Sequence, residues 1–188
     1  HLPATDPPAA RHVRAVFLQA AWLILRELPN AQFISPYATA ATRERLQHYL
    51  SQPQFEKLPI RLQAAKADLA CTAADAVLVT SGTATLEVAL CKRPMVISYK
   101  ISTPTYWLVK HKIKVAHVGL PNILLGKEAV PELLQGDATP EKLATAMLDW
   151  YRNPEKVAQV QQDFRHLHEM LKLDTDKLAA DAVLAQAA

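Results

Sequence analysis

Apolar residues recur along the chain at two spacings, and their alternation predicts short strands separated by helices. A stretch with helical spacing follows Pro7-Pro8 and predicts a first helix over residues 8–28. Compact apolar runs bounded by prolines or turns predict buried strands. The predicted strands lie at residues 32–35, where Pro36 ends the strand, and at 60–62, 76–79 and 95–99. The predicted helices between them lie at residues 39–50 and 66–73 and, after the third strand, through Leu90.

No β-hairpin signal separates the strands, so the alternation predicts an α/β fold with a Rossmann-like, doubly wound parallel sheet. After Leu120 the strand signal ends, and three helices are predicted at 139–151, 154–171 and 176–186. We therefore expect a Rossmann-like domain over residues 1–138 and a helical C-terminal tail over 139–188. A doubly wound domain normally begins with a strand, whereas only His1-Leu2 precedes the first predicted helix. We expect that first strand to be missing or to come from another segment.

Composition excludes several classes of protein. The 188 residues are 50% hydrophobic and 21% charged, which is typical of one globular domain. A formal net charge of +3 is too small to indicate nucleic-acid binding. Cys71 and Cys91 have no metal-type spacing and fit a reducing cytosol. We expect no membrane span, no signal peptide and no metal site, because the sequence has none of their patterns.

Residues 81–87, Ser-Gly-Thr-Ala-Thr-Leu-Glu, contain the candidate binding site. A strand that turns through Ser81, Gly82 and Thr83 into a helix leaves backbone N–H groups that can bind an anion. In open α/β sheets, ligands bind beyond the carboxyl ends of the strands. The motif is neither the glycine fingerprint of dinucleotide sites nor a phosphate loop with GK[ST].

A capping role does not explain Glu87. The acidic residue of a capping box follows the N-cap by three positions, and Glu87 has that spacing from neither Ser81 nor Thr83. Glu87 lies four residues after Thr83, on the same face of the helix. There its carboxylate can accept hydrogen bonds from a sugar diol whose phosphate is held by the N–H groups of residues 82–84. The alternative is an exposed helix residue near the positive end of the helix dipole.

The most basic part of the chain, residues 98–114, interleaves aromatic residues with lysines. Its relevant residues are Lys100, Tyr106, Trp107, Lys110, Lys112 and Lys114. This composition suits the headgroup level of an anionic membrane. A solvated amphipathic helix whose lysines face water is the other interpretation, and the residues alone favour it.

Asn122 lies in a predicted loop between Gly119 and Gly126. Its amide can donate and accept hydrogen bonds toward a ligand, or it can take part in local turn chemistry. From the residues alone, the local role ranks first.

Five blocks occur in a specific order: AVLVTSGTATLE (76–87), RPMV (93–96), YK (99–100), WL (107–108) and LPNILLG (120–126). This combination resembles the lipid-A-disaccharide synthases, the family 19 glycosyltransferases of bacterial lipid A synthesis. The similarity extends from about Val16 to Leu184.

The resemblance implies a GT-B architecture, in which two Rossmann-like domains face each other across a cleft. This chain is similar to the C-terminal half, which binds the nucleotide donor. The implied reaction joins UDP-2,3-diacylglucosamine to 2,3-diacylglucosamine 1-phosphate (lipid X), releasing UDP and forming a β-1′,6-linked disaccharide 1-phosphate. The resemblance further implies that the enzyme uses no metal or other cofactor and has no nucleic-acid partner. It also implies a cytoplasmic location, peripheral to the inner membrane of a Gram-negative bacterium.

The resemblance also assigns site residues. It implies that Ser81, Gly82 and Thr83 lie at the diphosphate, that Glu87 binds the ribose, and that Asn122 and the Tyr99-Lys100 pair approach the donor. Because both substrates are acylated, it strengthens the membrane and lipid interpretation of the basic aromatic segment, whose contacts are Tyr106, Trp107, Lys110, Lys112 and Lys114.

Two features depart from the family pattern. The family usually has a Leu-Pro-Gly-Ser-Arg loop before the first helix, whereas this chain has Leu2-Pro3-Ala4-Thr5-Asp6. The change removes a permissive glycine and places an acidic residue where a diphosphate needs positive charge. The catalytic aspartate of the family belongs to the N-terminal domain, so we expect this chain alone to bind the donor weakly and to lack the general base.

Two alternatives remain open at this stage. One is a non-catalytic module of the same origin, which dimerises through its C-terminal helices or docks on a membrane. The other is a different UDP-sugar enzyme of the same architecture, such as an epimerase.

Overall fold

The structure, a computed structural model, describes residues 8–64, 66–100, 117–172 and 183. Its helices are α1 (Pro8–Glu27), α2 (Ala40–Leu50), α3 (Ala67–Ala73), α4 (Ala84–Leu90), α5 (Leu120–Leu125), α6 (Pro140–Arg152) and α7 (Pro154–Leu171). Its strands are β1 (Phe33–Tyr37), β2 (Ile60–Ala64), β3 (Val77–Thr80), β4 (Met95–Tyr99) and β5 (Glu132–Leu134). A short 3₁₀ turn, Gln135–Asp137, connects β5 to α6.

The strands form two parallel sheets. β1 pairs with β2, and β3, β4 and β5 form the second sheet in that order. The parallel pairings and the helices between them confirm the predicted α/β, Rossmann-like class. In the common doubly wound order, the first strand lies between the second and the fourth, which here correspond to β1 and β3. Among the described residues no strand occupies that place, and an additional strand there remains a prediction.

β4 lies at the centre of the larger core. Met95, Val96 and Ile97 have no exposed surface, and Ser98 is 1% exposed. Because successive strand residues face opposite sides, both faces of β4 are covered. On α6, Trp150 donates a hydrogen bond from Nε1 to the carbonyl oxygen of Met95 at 3.2 Å. α6 also packs on α1 and β3, while α7 packs on α4 and α5.

α1 contributes to two apolar clusters. Its residues Val16, Ala20 and Ile24 belong to the main cluster around β3 and β4. Its Ala21 joins a smaller cluster with Phe55 and Leu58. α1 therefore connects the β1–β2 half of the chain to the β3–β5 half through side-chain packing.

The prediction that Pro36 ends the first strand was wrong, because β1 continues through Pro36 to Tyr37. The N–H group of Phe33 donates to Pro59 O, on the β2 side. Since N–H groups alternate between the two edges of a strand, the nitrogen of Pro36 faces away from β2. The missing N–H group therefore removes no hydrogen bond from the β1–β2 ladder.

The prediction that no strand follows Leu120 was wrong, because β5 lies at Glu132–Leu134, and the helix α5 was not predicted either. β5 has only three residues and begins with a charged one, Glu132, so it lacks the pattern of a buried strand. Residues 120–125 were predicted as a loop because glycines enclose them, but Pro121 at the start and the left-handed Gly126 at the end suit a short helix. The two long helices of the tail agree with α6 and α7. The helix predicted at 176–186 lies outside the described residues, apart from residue 183.

None of the helices in the described ranges has the length and hydropathy required to span a membrane.

We predict that Phe164→Ala destabilises the fold strongly, because Phe164 on α7 has no exposed surface. Loss of a buried phenylalanine side chain leaves a cavity and costs roughly 3–5 kcal/mol. Urea denaturation measures this free energy of unfolding. Met170→Ala on the same helix is the control, because Met170 is 44% exposed and its loss should cost less than about 1 kcal/mol. Equal losses for the two variants would contradict the assigned core.

Candidate functional site

The candidate site lies at the carboxyl end of β3. Ser81 follows the strand, and its N–H group donates to the carbonyl oxygen of Ser98 on β4 at 3.2 Å, which continues the ladder by one residue. Gly82 then has φ = +149°, a conformation that favours glycine, and Thr83 precedes α4. The buried Thr85 donates from Oγ1 to Gly82 O at 2.7 Å, which fixes this turn to the first turn of α4.

The turn is open to solvent. Gly82 and Thr83 are exposed, whereas Ser81 is half-buried. A Cβ atom added at Gly82 would have no atom within 4 Å, so there is free space beside the backbone. A ligand can therefore approach the backbone of residues 82 and 83 directly.

The structure brings Tyr99 and Lys100 to the same edge of the sheet. Thr80 on β3 is the register partner of Ser98 on β4, so Ser81, which follows β3, is adjacent to Tyr99, the last residue of β4. Tyr99 is 37% exposed, although the preceding residue is fully enclosed. Two of the residue groups predicted from sequence thus lie on neighbouring strand ends.

Glu87 is exposed on α4 and lies near α3. Its carboxylate contributes to the electrostatic environment of Cys71. Burial raises the pKa of Cys71, and the nearby Cys91, Glu87 and Asp68 raise this pKa further. Because Glu87 is exposed, its carboxylate is accessible to a ligand, and its ribose contact remains a prediction.

Asn122 has the local role that the sequence analysis left open. It has no exposed surface. Its Nδ2 group donates to Val130 O at 2.8 Å and to Glu132 Oε1 at 2.7 Å, while Oδ1 accepts from the N–H groups of Ala129 and Val130. A direct contact of this side chain with a donor would require these bonds to break.

Glu132, which the sequence analysis missed, lies beside Asn122. Its side chain is 6% exposed and accepts hydrogen bonds from the backbone N–H groups of Val118 and Gly119. The only sequence signal was an acidic residue directly before the apolar pair Leu133-Leu134. That signal does not distinguish a buried carboxylate from an exposed one.

The remaining residues predicted from the sequence lie outside the described part of the chain. They are the loop at residues 2–6 and the residues Tyr106, Trp107, Lys110, Lys112 and Lys114. In the parts of the chain that are described, no three His, Cys, Asp or Glu side chains are grouped as metal ligands would be.

Comparison with known proteins identifies close relatives. The family model described as lipid-A-disaccharide synthetase matches residues 7–186. The lipid-A-disaccharide synthase of Neisseria meningitidis serogroup C is 61% identical over 99% of this chain and 48% of its own length. The protein of the same name from Chromobacterium violaceum is 50% identical over 97% of this chain and 47% of its own length. The chain spans about half the length of the curated relatives it matches.

We predict that Gly119→Ala destabilises the chain. A Cβ atom at Gly119 would overlap the buried Cδ1 atom of Ile97 and lie 3.0 Å from Glu132 Oε1. Forcing such overlap costs about 1–3 kcal/mol. Gly136→Ala is the matched control, since its Cβ atom would meet no atom within 4 Å. Thermal or urea unfolding should separate the two variants, and a Gly119→Ala protein as stable as Gly136→Ala would refute the close approach.

We also predict that Cys71 reacts slowly with iodoacetamide. Its raised pKa leaves a smaller thiolate fraction at pH 8 than an unfolded thiol has, and only the thiolate reacts. The rate should rise with pH through a higher midpoint than in the urea-unfolded chain. Glu87→Gln removes one of the charges that raise this pKa, so it should shift the midpoint downward. The exposed Glu128→Gln should leave it unchanged, as peptide-resolved mass spectrometry can test.

Proposed function

The chain belongs to the lipid-A-disaccharide synthetase family, and we propose on this basis that it is the donor-nucleotide half of a glycosyltransferase of lipid A biosynthesis. The substrates are UDP-2,3-diacylglucosamine and 2,3-diacylglucosamine 1-phosphate (lipid X). A hydroxyl oxygen of lipid X forms a bond to the anomeric carbon of the donor. The bond from that carbon to UDP breaks, and UDP leaves with the bonding electrons.

The open turn at the carboxyl end of β3 is the observation that carries the proposal. Free space beside Gly82 allows the UDP diphosphate to approach the backbone of Gly82 and Thr83, next to Ser81. Glu87, one turn further along α4, accepts hydrogen bonds from the ribose hydroxyls. Tyr99, with Lys100, faces the donor from the neighbouring strand end.

In this proposal, Asn122 acts on the donor site through Glu132, to which it donates a hydrogen bond, and not by direct contact. Its side-chain groups are already bonded to Ala129, Val130 and Glu132. The proton of the attacking hydroxyl passes to a general base. The family resemblance assigns that base to an aspartate in the half of the relatives that this chain does not match.

We also propose that the protein contacts an anionic membrane surface, because both substrates carry acyl chains. The segment with Tyr106, Trp107 and the three lysines at 110, 112 and 114 supplies the contact. Shortly after this segment, α5 exposes Ile123 (47%) and Leu124 (38%), an adjacent apolar pair that supports the proposal.

The proposed donor site predicts a specific response to UDP. In an EDTA-containing buffer, UDP should shift the amide NMR signals of residues 81–87. Glu87→Ala should raise the Kd of UDP at least about tenfold, because a hydrogen bond to a charged group contributes roughly 1.5–3 kcal/mol. Glu128→Ala is the control, since Glu128 is also an exposed acid and lies outside the site. Equal effects of the two substitutions would contradict the ribose contact.

A second variant tests the altered loop at residues 2–6. Ala4→Gly, Thr5→Ser and Asp6→Arg together restore the family sequence, and we expect them to tighten UDP binding. If only this restored chain responds to UDP, the native loop limits affinity. If saturating UDP moves the signals of residues 81–87 in neither chain, the site assignment is wrong.

A further inference from the structure

The carboxylate of Glu132 is almost enclosed, yet each of its oxygens has a defined donor. Oε2 accepts the N–H group of Val118 at 2.8 Å. Oε1 accepts the N–H group of Gly119 at 3.0 Å and Nδ2 of Asn122 at 2.7 Å. Hydrogen bonds to a charged acceptor are stronger than neutral ones, and they offset the cost of burying the carboxylate.

The backbone that Glu132 holds is also bonded to the candidate donor site. Ser81 donates from Oγ to the carbonyl oxygen of Val118 at 2.9 Å. The peptide groups of residues 118 and 119 are thus fixed at two points, by a carboxylate on β5 and by a hydroxyl at the end of β3. The backbone N–H group of Ser81 donates a hydrogen bond to the carbonyl oxygen of Ser98 on β4.

The backbone at Gly119 is also closely packed. Gly119 lies so near Ile97 and Glu132 that a Cβ atom would not fit. Asn122 donates to the same oxygen of Glu132 as Gly119 does and is itself fixed by the backbone of Ala129 and Val130. Each member of the network has its polar groups satisfied, as a rigid buried polar network requires.

We infer that Glu132 is a positioning residue for the donor site: its carboxylate fixes the backbone of Val118 and Gly119, which in turn orients Ser81. The effect on ligand binding rests on the proposed function, whereas the effect on Ser81 does not. Three N–H donors stabilise the charge of this carboxylate, which lies near a site proposed for an anionic diphosphate.

The geometry predicts what Glu132→Gln changes. A glutamine keeps its carbonyl oxygen where it accepts two bonds, at the Oε1 position, and its NH₂ group then faces the N–H group of Val118. Two donors face each other there, so the Val118 bond is lost while the Gly119 bond is kept. A general loss of stability would not distinguish these two neighbouring amides.

Hydrogen exchange and NMR of the full 188-residue chain test the inference without ligand. In Glu132→Gln, the Val118 amide should exchange at least tenfold faster, the Gly119 amide should change less, and the signals of Ser81, Gly82 and Thr83 should shift. Glu128→Gln should cause none of these changes. Val160→Ala, a cavity variant of the buried α7 residue Val160, controls for lost stability and should leave Val118 protected.

Ser81→Ala gives an independent test, because it removes the second attachment of Val118 and leaves Glu132 intact. It should also loosen the Val118 and Gly119 amides. The inference is overturned if Val118 exchanges in Glu132→Gln as it does in Glu128→Gln, or if the signals of residues 81–83 do not move.

A UDP titration of the same variants completes the test. Glu132→Gln should raise the Kd of UDP roughly three- to tenfold, while Glu128→Gln and Val160→Ala should leave it unchanged. An unchanged Kd in Glu132→Gln would overturn the positioning role. If the parent chain and the loop-restored chain both fail to bind UDP, the proposed function fails, and the shifts at residues 81–83 alone decide whether Glu132 orients Ser81.

Discussion

Burial of β4 on both faces is the constraint on which the rest of the structure depends. Helices must cover both sides of Met95, Val96 and Ile97, and the bond from Trp150 to the Met95 carbonyl attaches α6 to the strand. A strand enclosed in this way can meet solvent only at its ends. The change from the enclosed Ser98 to the exposed Tyr99 marks the carboxyl end, where Tyr99 lies beside the residues that follow β3.

Much of this fold could be predicted from the sequence because its elements are periodic and long. The helices α6 and α7 and the strand β4 have clear apolar patterns, and the structure agrees with them within one or two residues. β5 and α5 could not be predicted, since three and six residues are too few to show a period. The error at Pro36 had another cause. Whether the nitrogen of a strand residue faces a neighbouring strand depends on how the strands pair, and the local sequence does not show this pairing.

The candidate site likewise has one part that could be predicted from the sequence and one part that could not. Its exposed turn was predictable, because Gly82 and the strand-to-helix change are local signals. The network behind it was not, because Glu132 and Ser81 lie 51 residues apart in sequence and act on a third segment. The amide of Asn122 was correctly recognised as a double hydrogen-bonding group, but only the surrounding backbone shows that it has no capacity left for a ligand. Burial of a polar residue is thus the information that local patterns lack.

The division of the strands into two sheets has a consequence for cooperativity. Among the described residues, no backbone ladder joins β1 to β3, so only side-chain packing by helices such as α1 and α3 connects the two halves. Segments attached in this way open with a smaller free energy than the central core. We therefore expect residues 33–64 to open more readily than β3 and β4.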